Sequence, residues 1–270
     1  MIALLRVELR RVTARRTTRA IAALALLGVV IAAVVVLVHS GRTTTETFFN
    51  ENGTVTTQRV VDEFFLMNLT EVFRGLSPLG VVLAGVLGAT FVGAEWHTGS
   101  MATTLTWEPR RIRLWAGKAL AGAVIVFALI LFLQAALGLL LAAVAALRGS
   151  TEGVDRAWLA RTAALGLRVA LLSAFAATMA AAVAMVGRNT AAALGIGAIY
   201  LGVVEGLIRV YIHSSEPWLV GNNIAAFVGS PDGFSPVTGR SMVGAGFVLA
   251  VYVAGLVGVA GAVFRARDVT

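Results

Sequence analysis

Apolar residues in this chain come in long runs rather than in alternation. Ala20 to Val38 carries no charge at all, and five further stretches, near 76–94, 119–147, 162–186, 191–208 and 241–264, are almost as uniform. About 20 mainly apolar residues make a helix that crosses the hydrocarbon core of a bilayer. Lipid offers backbone N–H and C=O groups no partners, so each run predicts a helix that satisfies its own hydrogen bonds. The 119–147 run is long enough to tilt or to project past the bilayer. The pattern predicts an all-α integral membrane protein, a single domain over 1–270 with six transmembrane helices.

Composition agrees: 58% of residues are hydrophobic and 13% charged, with a mean hydropathy of +0.87. A soluble domain carries about a quarter charged residues, so this chain cannot clothe its surface in polar groups, and its apolar content excludes disorder. The placement of Arg and Lys sets the orientation. With the N-terminus in the cytoplasm, segments 1–19, 95–118, 187–190 and 265–270 hold 13 basic and 4 acidic residues. Segments 39–75, 148–161 and 209–240 hold 8 and 9. Both termini are therefore expected in the cytoplasm. The Arg-rich start followed by an apolar run has the look of a signal peptide; its basic leader is long for one, and the segment is read as a retained first span. Of 22 basic residues only Lys118 is lysine. The arginine bias, with the Ala, Gly and Val excess, reads as a GC-rich coding sequence and a bacterial cell membrane. The basic residues flank apolar runs instead of forming a patch, which argues against nucleic acid as a partner.

The connecting segments differ in character. In 1–19, Ile2, Leu5, Leu9 and Val12 share a helical stripe, with Arg10, Arg11, Arg15 and Arg19 largely elsewhere. That predicts either a helix lying at the inner interface among anionic headgroups or a simple topogenic charge cluster. Val61, Phe65, Leu69 and Val72 recur at helical spacing beside Asp62, Glu63 and Glu71, which predicts a short amphipathic outer helix. The same loop holds the sequons Asn52-Gly53-Thr54 and Asn68-Leu69-Thr70. Pro217, Gly221, Gly229, Pro231, Gly233 and Pro236 punctuate apolar pieces such as Ile224 to Val228, the pattern of a broken or re-entrant element before the last span.

Chemistry is sparse. Cysteine is absent, and His39, His97 and His213 fall in separate segments without ligand spacing. Nothing matches G-x-S-x-G, and Gly117-Lys118 is followed by Ala119 and preceded by Ile112 where a phosphate loop needs glycine. The sequence predicts no catalytic residues, no metal and no cofactor bound by this chain. Any ATP would be bound by another polypeptide.

Segment 95–118 is the informative one. It runs Glu95-Trp96-His97-Thr98-Gly99 through Leu105-Thr106-Trp107-Glu108-Pro109-Arg110-Arg111 to Arg113 and Lys118. Three tryptophans with clustered arginines suit a partner-docking surface; an interfacial helix with tryptophans at headgroup level fits the same residues. Here the chain resembles the permease subunits of ABC exporters of the type-2 membrane-protein superfamily. The resemblance rests on Glu95, Gly99, Leu105-Thr106, Pro109, Arg111 and Lys118, on the ending Phe264-Arg265-Ala266-Arg267-Asp268, and on the six-span topology; its sequence-specific part is about 26 residues long. The first outer loop is more substantial than such a permease needs. The resemblance implies that 95–118 is a coupling element docking on a separate ATP-binding cassette subunit, which supplies ATP and Mg. Glu95, Trp96, Gly99, Trp107, Pro109, Arg110, Arg111, Arg113 and Lys118 would form that element, Arg110, Arg111 and Arg113 contacting carboxylates or anionic lipid. It also implies a second permease copy as partner.

Within the spans, Arg168 and Glu205 are costly, by about 2.5–3.5 kcal/mol each at mid-bilayer. At about 1.5 Å of rise per residue both lie about 9 Å below the outer face. They are expected to pair or share a polar cavity, or else Glu205 meets Arg209 one turn on while Arg168 snorkels outward. Gln134 is the remaining polar candidate for a substrate path, or an ordinary interhelical hydrogen bond. Small residues recur every fourth place at Gly80, Ala84 and Gly88, and at Gly246, Ala250, Ala254, Gly258 and Ala262, a stripe expected to pack within the chain or at a dimer seam. The competing reading of the whole is a membrane anchor or immunity protein with no ATPase partner.

Overall fold

A computed structural model describes residues 2–49, 55–61, 63–229, 234–235 and 238–267. The first sequon, Asp62, Pro231, Gly233, Pro236 and Asp268 lie outside the described residues. The chain forms α1 (Ile2–Ala14), α2 (Arg16–His39), a hairpin of β1 (Thr43–Phe49) and β2 (Val55–Val61), and a short β3 (Phe64–Phe65). There follow α3 (Leu69–His97), α4 (Ser100–Trp107), α5 (Arg111–Arg148), β4 (Gly149–Ser150), α6 (Arg156–Gly187), α7 (Thr190–Ile199), α8 (Glu205–Tyr211) and α9 (Val220–Val228). The two-residue strands β5 (Phe234–Ser235) and β6 (Arg240–Ser241) lead into α10 (Met242–Ala266). Among the described residues six helical stretches are long and apolar enough to cross a membrane: Arg16–His39, Leu66–His97, Arg111–Arg148, Arg156–Gly187, Thr190–Tyr211 and Met242–Ala266. The protein is a multi-pass, all-α membrane protein. The fifth of these stretches joins α7 to α8 through one π-helical turn, Tyr200–Val204.

The amphipathic helix expected over Val61, Phe65, Leu69 and Val72 does not form as one element. Val61 ends β2 and Phe65 lies in β3, while Leu69 and Val72 belong to α3. The Thr43-Thr44-Thr45-Glu46-Thr47 and Val55-Thr56-Thr57 runs are rich in β-branched residues that favour a pleated strand. They pair antiparallel, with Thr47 opposite Thr57. The helical spacing at 61–72 thus begins one strand too early.

The chain divides into two compact units. The first comprises Met1–Arg19, Leu76–Ile130 and Leu167–Thr270, the second Ala20–Gly75 and Leu131–Gly166. In the first unit a buried cluster gathers Val92, Met101, Leu114, Trp115, Met185 and Phe264. Gly88 is where α3 and α6 meet: a Cβ there would fall 2.6 Å from Ala177 Cα and onto its carbonyl. Gly93 is equally constrained, a Cβ falling 2.6 Å from the Thr190 backbone nitrogen. Thr190 opens α7, whose first amides bond to the Asn189 side chain at 2.7 and 3.4 Å. In the second unit Trp158 of α6 is buried and donates from Nε1 to the Met67 carbonyl at 3.2 Å.

Candidate functional site

Two places in the first unit gather the charged residues singled out by sequence. The first is segment 95–118. α3 ends at His97, and Gly99 turns the chain with φ of +68°, a backbone region that glycine enters without steric cost. α4 is then eight residues long, and extended Glu108 followed by Pro109 stops it before α5 begins at Arg111.

Glu95 and Lys118, at the two roots of this segment, are buried, with relative exposures of 3% and 7%. Lys118 Nζ lies 2.6 Å from Glu95 Oε2 and 3.2 Å from both carboxylate oxygens of Glu8 on α1. Arg15 bonds the other Glu95 oxygen and reaches the Phe91 carbonyl at 2.9 Å. Arg11 closes the chain, 3.3 Å from Glu8 and 3.3 Å from the Thr104 hydroxyl of α4. Glu8 is itself 2% exposed and falls at helical spacing from Leu5 and Val12. The packed face of α1 carries Glu8 and Val12, with Leu4 against Gly117, because the carboxylate must reach Lys118. The one lysine in the chain is the residue that bridges two carboxylates. A compact ammonium with three donors fits between them where a planar guanidinium would not.

The remaining members of the segment divide. Trp96 packs edge-on against Phe264, centroids 6.1 Å apart, under the Arg188 guanidinium at 4.7 Å. Trp115 is buried and donates to the Val257 carbonyl at 3.0 Å. Arg111 donates to the Phe264, Arg265 and Arg267 carbonyls at 3.2, 3.2 and 2.5 Å, capping the C-terminal end of α10. Arg113 lies 3.6 Å from Glu108. Trp107 is 86% exposed, and Pro109 and Arg110 are exposed beside it. Of three tryptophans read together as a surface, one is at the surface. Trp96 and Trp107 have alike polar neighbours, Glu95 and His97 against Thr106 and Glu108, while Trp115 stands between Leu114 and Ala116 at the start of an apolar run. A groove of about 590 Å³ between α1 and α4 is lined by Leu4, Val7, Thr103, Trp107 and Arg113, among others.

The second place is α9. Both oxygens of Glu205 accept from the Gly221 amide, at 3.1 and 3.0 Å, and the carboxylate is buried at 3% exposure. Arg168 donates to the Phe227 carbonyl at 3.5 Å and to the Met242 thioether sulfur. Arg209 bonds Asn222 at 2.9 Å. Among the described residues Glu205 forms an ion pair with neither Arg168 nor Arg209; Glu205 and Arg168 meet opposite ends of one short helix instead of each other. Gly221 and Gly229, read from sequence only as punctuation, are the seats. A Cβ on Gly221 would lie 2.6 Å from Glu205 Oε2, and one on Gly229, whose φ is +100°, 2.9 Å from Arg168 Nη1. Asn223 is fully buried and donates to the Pro217 and Leu219 carbonyls at 2.9 and 2.8 Å.

Gln134 belongs to the second unit, where its Oε1 lies 2.9 Å from where a Gly166 Cβ would stand and has no hydrogen-bond partner among the described residues. The stripe on α10 packs only at its start. Gly246 sits against the Phe227 ring, while Ala254, Gly258 and Ala262 are exposed and a Cβ on Gly258 would meet nothing within 4 Å. The buried face of α10 is instead Ala245, Val248, Leu249, Ala260, Gly261 and Phe264. Among the described residues no group of three or more His, Asp or Glu side chains is placed to hold a metal ion. No known family model matches the chain, and no curated protein matches it.

Proposed function

We propose that this chain is the permease subunit of an ATP-driven ABC exporter, coupled through 95–118 to a separate ATP-binding subunit and working beside a second permease copy. Six membrane helices supply the transport body. One observation carries the coupling assignment: α4 projects an almost fully exposed Trp107 while Glu95 and Lys118 root the segment in buried ion pairs. An exposed anchor on a charge-locked base transmits a push to α1, α3 and α5 together, because all three contribute to the lock. Trp107, Pro109 and Arg110 make the contact. Glu95, Arg111 and Lys118 hold it in shape.

In this reading 95–118 and both termini face the cytoplasm of a bacterial cell, and the segment around α9 is a broken, re-entrant element on the opposite side. The chain itself performs no hydrolysis; ATP and Mg belong to the partner. The test is ATPase activity of the reconstituted permease–ATPase complex. Replacing Trp107 with Ala and Arg110 with Glu lowers the permease-stimulated rate at least tenfold and leaves the ATPase's basal rate unchanged. An unaltered stimulated rate removes the docking assignment.

A further inference from the structure

We propose that α9 is a latched element: a nine-residue helix held in its seat by Glu205 at its first turn and Arg168 at the Phe227 carbonyl of its last turn, and released when either charge is neutralised. The inference stands on geometry alone and does not depend on the transport reading. An α-helix leaves its first amides and last carbonyls without internal partners. α9 has no side-chain cap of its own at Leu219, and Gly229 ends it with no side chain to offer. Its end groups are met from other helices, by a carboxylate of α8 and a guanidinium of α6. The signs match the helix dipole, negative at the N-terminal end and positive at the C-terminal end.

The two glycines make the seats specific. A methyl at either position would intrude on the charged group that reaches it. The other bonds at the first turn of α9 are local or exposed: Asn222 donates to the Glu216 carbonyl at 2.9 Å, Asn223 to Pro217 and Leu219, and Arg209 meets Asn222 where both are exposed to solvent or nearly so. Against α10 the contact is apolar, through Phe227 and Gly246. Among the described residues, buried Glu205 and half-buried Arg168 are therefore the side chains that tie α9 to α8 and α6 away from solvent.

The chain has no cysteine, so single reporters are unambiguous. In the full-length protein in nanodiscs, a cysteine replacing the buried Ala226 of α9 is alkylated by a water-soluble maleimide. A second variant carries the reporter at the buried Ala260 of α10. Glu205→Gln and Arg168→Gln each raise the rate at Ala226 at least tenfold and leave Ala260 unchanged. Gly221→Ala, which keeps both charges and displaces the Glu205 carboxylate from its seat, does the same. Arg209→Gln changes neither site by more than twofold. Exchanging the charges, Glu205→Arg with Arg168→Glu, leaves Ala226 fast, because each helix end then faces a like pole. The proposal is overturned by an unchanged rate at Ala226 in the neutralised variants, by a rise at both reporters together, or by a slow rate restored on charge exchange, which would mean a direct ion pair.

Discussion

The cluster around Lys118 and the seat of α9 face the same problem, a carboxylate at 3% exposure, and solve it differently. Around Lys118, charge answers charge: Glu8 and Glu95 flank one ammonium, and Arg11 and Arg15 pair with the same two carboxylates. At α9 no full opposite charge meets Glu205 among the described residues; a backbone amide does. A buried pair loses heavily when one member is removed, because the survivor is stranded. A charge resting on a helix end holds a partial charge of about half an electron, so its loss is milder. The first arrangement makes a fixed joint, the second a seat that one group can leave.

The largest expected effect is on the joint. Lys118→Met takes the shared ammonium from two buried carboxylates, leaving Arg11 on Glu8 and Arg15 on Glu95, and costs up to about 3–5 kcal/mol, read as a fall in the unfolding midpoint in detergent. Restoring part of that loss with Glu8→Gln in the same chain would show that the stranded charge, not lost packing, is the cause. Lys118→Arg separates charge from shape. It keeps the charge and forces a larger planar head between Glu8 and Glu95, at about 1–3 kcal/mol; full stability in that variant would mean the site reads charge alone. Glu205→Gln is expected to cost about 0.5–2 kcal/mol, the range of a lost helix cap. A loss as large as that of Lys118→Met would erase the distinction between joint and seat. Trp107→Ala should change stability by less than about 0.5 kcal/mol, as a surface change does, whatever it does to coupling.

The spans were legible because a bilayer imposes length and apolarity together, and 119–147 or 241–264 can satisfy neither requirement in water. The first loop was not, because Val61 and Phe65 keep helical spacing with Leu69 and Val72 by coincidence while the threonines that precede them favour strands. Lys118 carried a signal in being the one lysine in the chain, but nothing in the sequence tied it to Glu8, 110 residues away. Arg168 and Glu205 were found by depth, yet depth says nothing of lateral position. The glycines eight residues apart, Gly221 and Gly229, were the missing clue, since a glycine at each end of a short apolar piece marks where a bulky group must approach its backbone. The stripe Ala254-Gly258-Ala262 is a regular pattern whose far end is exposed among the described residues, which leaves the dimer seam as the packing it was read for.

The central claim is that α4 is gripped by a nucleotide-hydrolysing partner, and purification of the intact assembly from its native membrane tests it most directly. The wild-type chain is expected to bring down an ATP-binding protein in fixed stoichiometry, and Trp107→Ala with Arg110→Glu to release it while the chain keeps its unfolding midpoint. A wild-type chain isolated fully active with no such protein, or a double variant that retains it undiminished, would contradict the account.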